Sequence, residues 1–517
     1  MLKSKILLAI VCTVVCLNTG LFAQETNIRY KNEVFSVLDS FVNVQYGSAV
    51  NLKGEQENLI LDIYAPGADS LKKRPLMIFI HGGGFQNNNR VGAFSKMICE
   101  GLAKRGYVTA TIDYRLGIAK SKSNTDYFEA MVRAVQDAKA AVRFFKQYGR
   151  KYGVDTSQIF VMGSSAGSKT AMHLAYLDEQ EIPANIDINK MGGLEGNSGN
   201  PGYSSKVAGV VNCWGALINY KWINKGDVPM FNVSGTADAT VPYDSSYDYH
   251  GFKYGGSILY EHMLLLGIPT GWRPFYGAGH TLDNKKNKQD SAYKEIAAWL
   301  FTRLKKHAPS EPEVYKWEDD IKKLEVLDAK EPGSKKAILF IGSSYIRLWE
   351  KMKTDLAPYE TINRGFGGSK MSDVAHYIDR LLVAHNPQAV FLYVGNDITG
   401  SNLDKSPIQV LELVKYITKK IRQKYPEVPV YWNQISPAEK RWMVWDKVSE
   451  ANELVKTWAA TIPQTYFVET GHLFLGADGK PMTQQYYRDD KLHYNIEGYK
   501  VWAKPVLQKF NETGRIK

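Results

Sequence analysis

The sequence predicts an α/β protein built as two domains, each a largely parallel sheet covered by helices on both faces. Three observations predict it. Short strands that are apolar throughout alternate with amphipathic helical patterns, as a sheet buried on both faces requires. The alternation is interrupted by the polar, proline-containing stretch His307-Ala308-Pro309-Ser310-Glu311-Pro312-Glu313 and then resumes. A chain of 517 residues also exceeds what one hydrophobic core usually serves.

In chain order, Met1-Leu2-Lys3-Ser4-Lys5 is a short basic region and Ile6 to Leu17 an apolar run; Ala23 then precedes the polar Gln24. Together these read as a secretory signal over residues 1–23, cleaved after Ala23. The run is well short of the roughly 20 apolar residues of a spanning helix. Neither Cys12 nor Cys16 follows the small residues that a lipid-attachment site wants. No later segment is long and apolar enough to span a membrane, so export to the periplasm or the extracellular space is expected. Cleavage removes Lys3 and Lys5 and no acid, lowering the net charge of +12 by two, to +10. The remaining basic residues are scattered and not interleaved with aromatics, which favours a solvated surface over a nucleic-acid site. Two cysteines remain, Cys99 and Cys213; there is no disulfide framework and no zinc-type Cys/His spacing. Cys213 lies in an apolar run and is expected to be a core thiol. The sequence sets no oligomeric state.

The first domain is expected over residues 24–308. Its strands include Pro75 to Ile80, Tyr107 to Ile112, Gln158 to Met162, Val207 to Asn212, Met230 to Val233 and Trp272 to Phe275, with helices such as Tyr127 to Tyr148 and Ser291 to Lys306 between and after them. One strand runs into Gly163-Ser164-Ser165-Ala166-Gly167 and then a helix, Ser168 to Leu177. Gly-x-Ser-x-Gly in a strand-turn-helix setting is where a nucleophilic serine sits on a strained turn, and small neighbours avoid clashes as the chain doubles back. Upstream, His81-Gly82-Gly83-Gly84 closes another strand and can turn backbone N–H groups toward a substrate. Downstream, Asp238 and His280 each lie on a loop just after a strand, completing the order Ser165, Asp238, His280. Asp244 and Asp248 are the alternative acids; His262 lies in a helical pattern.

At these residues the chain resembles the α/β-hydrolase superfamily over residues 30–306, specifically the carboxylesterase branch with a His-Gly-Gly-Gly loop. The resemblance implies oxyanion donors at the backbone N–H groups of Ala166 and of Gly83 or Gly84. The stretch Asp178 to Ser205 is an insertion, readable as a pocket cap or as surface decoration.

A linker is expected over 309–316 and the second domain over 317–517. Here strands Ala337 to Ile341, Ala389 to Val394, Val428 to Trp432 and Thr465 to Val468 stand apart from helices such as Pro407 to Tyr425. The first strand ends in Gly342-Ser343-Ser344. Thr361 to Ser369 is a strand with a glycine-rich turn, Gly395-Asn396-Asp397 places an amide after a further strand, and Asp490 stands three residues before His493. That spacing on one turn lets the carboxylate receive one imidazole N–H while the other nitrogen faces Ser344. The four motifs in this order resemble the SGNH (GDSL) hydrolase family, which implies a flavodoxin-like α/β/α sandwich. By position, Ser344 is then the nucleophile, Asp490 and His493 complete the triad, and Gly368 and Asn396 are oxyanion donors. Two features depart from the family: Ser343 stands where Asp is frequent, and Gly395-Asn396-Asp397 lacks the residue usual between Gly and Asn.

Both constellations point to serine attack, an acyl-enzyme and its hydrolysis, with no metal or organic cofactor required. A histidine base implies activity that falls as pH drops below about 6. The expectation is a secreted two-domain serine esterase that removes acetyl, and also feruloyl, groups from plant polysaccharides or their oligosaccharides. The other readings are one active domain with a non-catalytic, carbohydrate-binding partner domain, or a lipase or peptidase of the α/β-hydrolase superfamily.

Overall fold

The computed structural model describes residues 28–248, 251–305, 313–330, 335–401 and 403–516. The expected signal over 1–23 and the first half of the expected linker, residues 309–312, lie outside them, whereas Glu313–Trp317 forms a short helical turn. The first sheet comprises β1 (Leu38–Val50), β2 (Gln56–Pro66), β3 (Arg74–Ile80), β4 (Val108–Ile112), β5 (Val154–Ser164), β6 (Gly209–Cys213) and β7 (Met230–Gly235). A hairpin of β8 (Ser245–Asp248) and β9 (Gly251–Tyr254) precedes its last strand, β10 (Thr270–Phe275). The spatial order is β1-β2-β4-β3-β5-β6-β7-β10. From β4 to β10 all pairs are parallel, whereas β1 with β2 and β2 with β4 are antiparallel. The antiparallel edge is absent from the sequence expectation. Strand β1 is mostly exposed and broken by two irregularities in register, so it carries no apolar run.

Strand β3 is buried along its whole length, and its residues alternate between two cores. Leu76, Ile78 and Ile80 pack with α2 (Asn124–Tyr148) and α3 (Ala166–Tyr176). Met77 and Phe79 pack with α1 (Ala93–Lys104) on the opposite face. Helix α2 starts in a capping box in which the Ser123 hydroxyl accepts from the Asp126 N–H. After β9 come α4 (Gly256–Leu266) and, past β10, α5 (Lys286–Arg303), which starts five residues earlier than expected. Cys99 and Cys213 are free thiols in the second core, and burial pushes Cys99 up to about 12.

The second sheet holds β11 (Ala337–Gly342), β12 (Glu360–Gly365), β13 (Ala389–Tyr393), β14 (Val430–Asn433) and β15 (Thr465–Val468). They lie in the order β12-β11-β13-β14-β15, all parallel. This is the flavodoxin-like order, which reverses direction at its first strand and opens a crevice there. The helices are α6 (Glu318–Lys330), α7 (Ser344–Arg347), α8 (Met352–Asp355), α9 (Met371–Val383), α10 (Pro407–Lys424), α11 (Trp445–Ala459), α12 (Thr483–Tyr486) and α13 (Ile496–Thr513). No helix among the described residues is long and apolar enough to cross a membrane.

The two sheets do not stand apart. Tyr260, Leu264 and Trp272 of the first domain belong to the core formed by α6, α9, α10 and β11 of the second. Polar contacts frame that seam. The Tyr315 hydroxyl donates to the Leu266 carbonyl at 2.9 Å, Lys419 pairs with Glu261 at 2.8 Å, and the Tyr276 hydroxyl donates to Glu412.

Two outcomes follow from this packing. Truncating the buried Trp272 in Trp272→Ala should cost about 3–5 kcal/mol, and in calorimetry should split one unfolding transition into two. His173 on α3 is fully buried and its pKa falls from 6.5 to about 4 through desolvation. The unfolded chain therefore binds the extra proton first, so stability is complete above about pH 6.5 and declines as pH falls toward 4. The loss should reach about 3 kcal/mol, and the difference between urea midpoints at pH 7 and 4.5 should shrink in His173→Leu; His81, His376 and His385, also lowered by desolvation, keep part of it.

Candidate active sites

The first site is built where β5 meets α3. A Cβ on Gly163 would lie 2.1 Å from the Gly167 backbone, and one on Gly167 would lie 2.1 Å from the Ile80 carbonyl oxygen. Strand, helix and the end of β3 thus touch through backbone alone, which only glycine permits. Between the two glycines Ser165 is forced to φ 56° and ψ −117°, a region costly for a residue with a side chain. Its Oγ lies 3.0 Å from His280 Nε2, and His280 Nδ1 lies 2.7 Å from Asp238 Oδ2. The other oxygen, Oδ1, accepts the Thr240 and Val241 N–H groups at 2.8 and 2.9 Å. The carboxylate is thereby aimed at the ring. His262, by contrast, meets the Ile223 carbonyl at 3.0 Å on α4, and Asp244 accepts from the N–H of Ser245 beside it.

His280 opens a left-handed turn in which Thr281, Leu282 and Asp283 all have φ between 52° and 56°. Leu282 is fully buried and Asp283 accepts the Gly279 N–H at 2.6 Å. The strained turn is thus anchored on both sides of the ring. Sequence reasoning gave Leu282 no role, because its importance lies in a backbone conformation that leucine rarely adopts.

The glycine loop crosses directly above the serine. A Cβ on Gly82 would lie 2.8 Å from the Ser164 carbonyl oxygen and 3.2 Å from the Ser165 Cβ. Gly83 and Gly84 have φ of 116° and 62°, and their N–H groups donate to no backbone carbonyl among the described residues. The Ala166 N–H stands at the start of α3, where the helix dipole favours an anion. The loop is held by His81, which stacks on Tyr114 with ring centres 4.4 Å apart, and by the fully buried Phe85. The insertion after α3 is tied to α2 and β1. Glu195 pairs with Lys139 and Arg143, the Ser198 hydroxyl donates to Asp137, and the Ser198 carbonyl accepts the Ser48 N–H.

The second site lies at the crevice of the second sheet. Ser344 begins α7 directly after β11, and its Oγ lies 2.8 Å from His493 Nε2. His493 Nδ1 lies 2.6 Å from Asp490 Oδ2. Asp490 Oδ1 accepts the N–H groups of Leu492 and His493, each at 2.9 Å. Burial opposes its charge, but the hydrogen bonds from His493 and these N–H groups prevail and hold its carboxyl at about 2. The three-residue spacing is realised on a turn in which Lys491 takes φ 58°, not on a helix.

Gly368 follows β12 and Asn396 follows β13, the strands on either side of β11. A Cβ on Gly368 would lie 3.9 Å from Asn396 Nδ2, so the two expected oxyanion donors are neighbours. Asn396 Nδ2 donates to the Ser369 carbonyl at 3.0 Å, and Arg441 Nη2 donates to Asn396 Oδ1 at 2.5 Å. Trp317 closes the turn beside them: a Cβ on Gly367 would overlap its ring, and its Nε1–H donates to Asp373 at 2.8 Å. Neither Arg441 nor Trp317 is marked by spacing, since each reaches the site only through tertiary contact. Among the described residues no three His, Cys, Asp or Glu side chains gather as a metal site.

Residues 61–219 match the family model BD-FAE, and residues 342–501 match that of the GDSL-like Lipase/Acylhydrolase family. Among curated proteins, the chain is similar to the neuroligin-like protein glit-1 of Caenorhabditis elegans, at 32% identity over 22% of this chain and 15% of that protein. It is similar to the juvenile hormone esterase of Tribolium castaneum, at 27% identity over 24% and 21%. It is also similar to a probable isoprenylcysteine alpha-carbonyl methylesterase of Oryza sativa subsp. japonica, at 32% identity over 23% and 26%. The chain thus spans between 15% and 26% of these relatives' lengths. Among solved structures, esterase 2 of Thermogutta terrifontis phosphonylated by cyclosarin is 25% identical, covering 55% of this chain and 100% of its own, with a TM-score of 0.39. With the two folds and the two family matches together, the chain joins an α/β-hydrolase domain of the carboxylesterase type to a GDSL-like lipase/acylhydrolase domain.

Proposed function

We propose that the protein is an exported two-domain serine esterase that removes acyl groups, acetyl and also feruloyl, from plant polysaccharides or their oligosaccharides. The observation that carries the esterase reading is the pair of unbroken chains Ser165–His280–Asp238 and Ser344–His493–Asp490, each with hydrogen-bonding distances throughout. Support for a carbohydrate ester as substrate comes from the signal-like N-terminus, two different esterase folds on one chain, and aromatic residues at 12%, which suit stacking on sugars.

In the first site His280 Nε2 takes the Ser165 hydroxyl proton as Oγ adds to the ester carbonyl. The resulting oxyanion is received by the N–H groups of Ala166 and of Gly83 or Gly84. Asp238 holds the imidazolium, which returns the proton to the departing sugar oxygen. Water, deprotonated by His280, then attacks the acyl-enzyme and releases the acid and free Ser165. Ser344, His493 and Asp490 perform the same steps in the second site, with Gly368 and Asn396 as donors.

Mass-spectrometric product analysis on acetylated xylan, pectin and acylated oligosaccharides should show two separable activities. Ser165→Ala and Ser344→Ala should each abolish release of a different subset of acyl groups, by a factor on the order of 10³ or more. Loss of all release in the first variant and none in the second, across several substrates, would instead make the second domain a binding module. Release of no acyl group from any of these or from short aryl esters would sink the esterase reading. The protein recovered after export should begin at Gln24, read by N-terminal sequencing.

A further inference from the structure

The oxyanion donor Asn396 carries an ambiguity that its own loop does not resolve. An asparagine amide is nearly symmetric in shape, and a half-turn exchanges its donor NH₂ and its acceptor oxygen. Only the orientation with nitrogen toward Ser344 stabilises an oxyanion; the other would repel it. In this chain Gly395 and Asn396 are adjacent, with no residue between them to brace the amide.

We propose that Arg441 is the positioning residue that locks the Asn396 amide with its N–H toward the oxyanion of the second site. The guanidinium is a donor without an acceptor atom, and it meets Oδ1 at 2.5 Å. The Ser369 carbonyl is an acceptor without a donor, and it meets Nδ2 at 3.0 Å. A flipped amide would set NH₂ against guanidinium and oxygen against carbonyl, two repulsions in place of two hydrogen bonds. With one N–H on Ser369, the second N–H of Nδ2 is left for the substrate, on the side where Gly368 approaches.

Arg441 also donates from Nη1 to the Gly395 carbonyl, so one planar fork braces both the backbone and the side chain of the Gly395-Asn396 loop. The positive charge behind Oδ1 further polarises the amide toward its N–H end. The arginine is itself held in the turn Glu439–Val444, whose neighbouring contacts reach the acid–base side of the same centre. The Lys440 N–H donates to the Lys491 carbonyl at 3.2 Å, and Lys491 pairs with Glu439 at 2.6 Å, between Asp490 and His493. One short turn therefore fixes the distance from the oxyanion donor to the triad.

The inference rests on the second triad being a working hydrolase site. It is tested in full-length Ser165→Ala protein, so that turnover of 4-nitrophenyl acetate reports Ser344 alone. Adding Arg441→Met should lower kcat by about 10- to 100-fold, below the roughly 10²–10³-fold cost of losing an oxyanion donor outright, with KM within about twofold. Arg441→Lys, which keeps the charge but not the fork, should fall between, and thermal melts should place all variants above the assay temperature.

The decisive measurement is a double-mutant cycle with Asn396→Ala. Arg441→Met should cost little further once the amide is gone. A loss in kcat of the same factor with and without Asn396 would overturn the proposal, as would an unchanged kcat in Arg441→Met. If the Ser165→Ala parent neither turns over the ester nor reacts at Ser344 with a fluorophosphonate probe, the catalytic reading of the second site fails, and the role of Arg441 with it.

Discussion

The contact on which the first domain depends is the backbone-to-backbone crossing of Gly163, Gly167 and the end of β3. No side chain intervenes, so the start of α3 is pressed against the carbonyls of Ile80 and His81. That closeness creates the strained Ser165 turn and at the same stroke brings the glycine loop over it. The candidate nucleophile and the expected oxyanion donors are therefore two consequences of one steric fact. The cost of the strain is covered by the surrounding core, in which β3, β4, β6 and β7 are buried along their whole lengths.

The second domain builds its candidate triad without an elbow. Ser344 starts a single-turn helix at the point where strand order reverses, and the expected oxyanion donors come from the two flanking strands. Acid and base share one turn, so the carboxylate that orients His493 also accepts that residue's own N–H. The first site spreads these tasks over loops 42 residues apart and spends a left-handed turn and a buried Leu282 to hold the ring.

The sequence made much of this legible because the candidate catalytic residues sit at strand ends, and strand ends can be read from apolar runs stopped by glycine or serine. Ser165, Asp238 and His280 are all placed that way, and Asp490 with His493 by spacing. What could not be read depends on contacts distant along the chain or on unusual backbone. Arg441 lies 45 residues from the amide it grips. Trp317 fills space that exists only because Gly367 has no side chain. Strand β1 escapes because it is largely solvent-exposed and interrupted by bulges, so the alternation that marks a strand is missing there, whereas β2 does carry it in the buried Leu59, Leu61, Ile63 and Ala65.

The seam formed by Tyr260, Leu264 and Trp272 bears on how the chain would meet a polymer. Two catalytic units on a flexible tether raise one another's effective concentration according to tether length, and each can swing to find its own bond. Here no such swing is available, because the domains are fused through one apolar core. The two serines are held at a set separation and a set relative orientation. A long, regularly substituted polysaccharide of the kind proposed as substrate would thus be met as by a fixed-gauge tool, whose two working points fall into step only with decorations spaced to match.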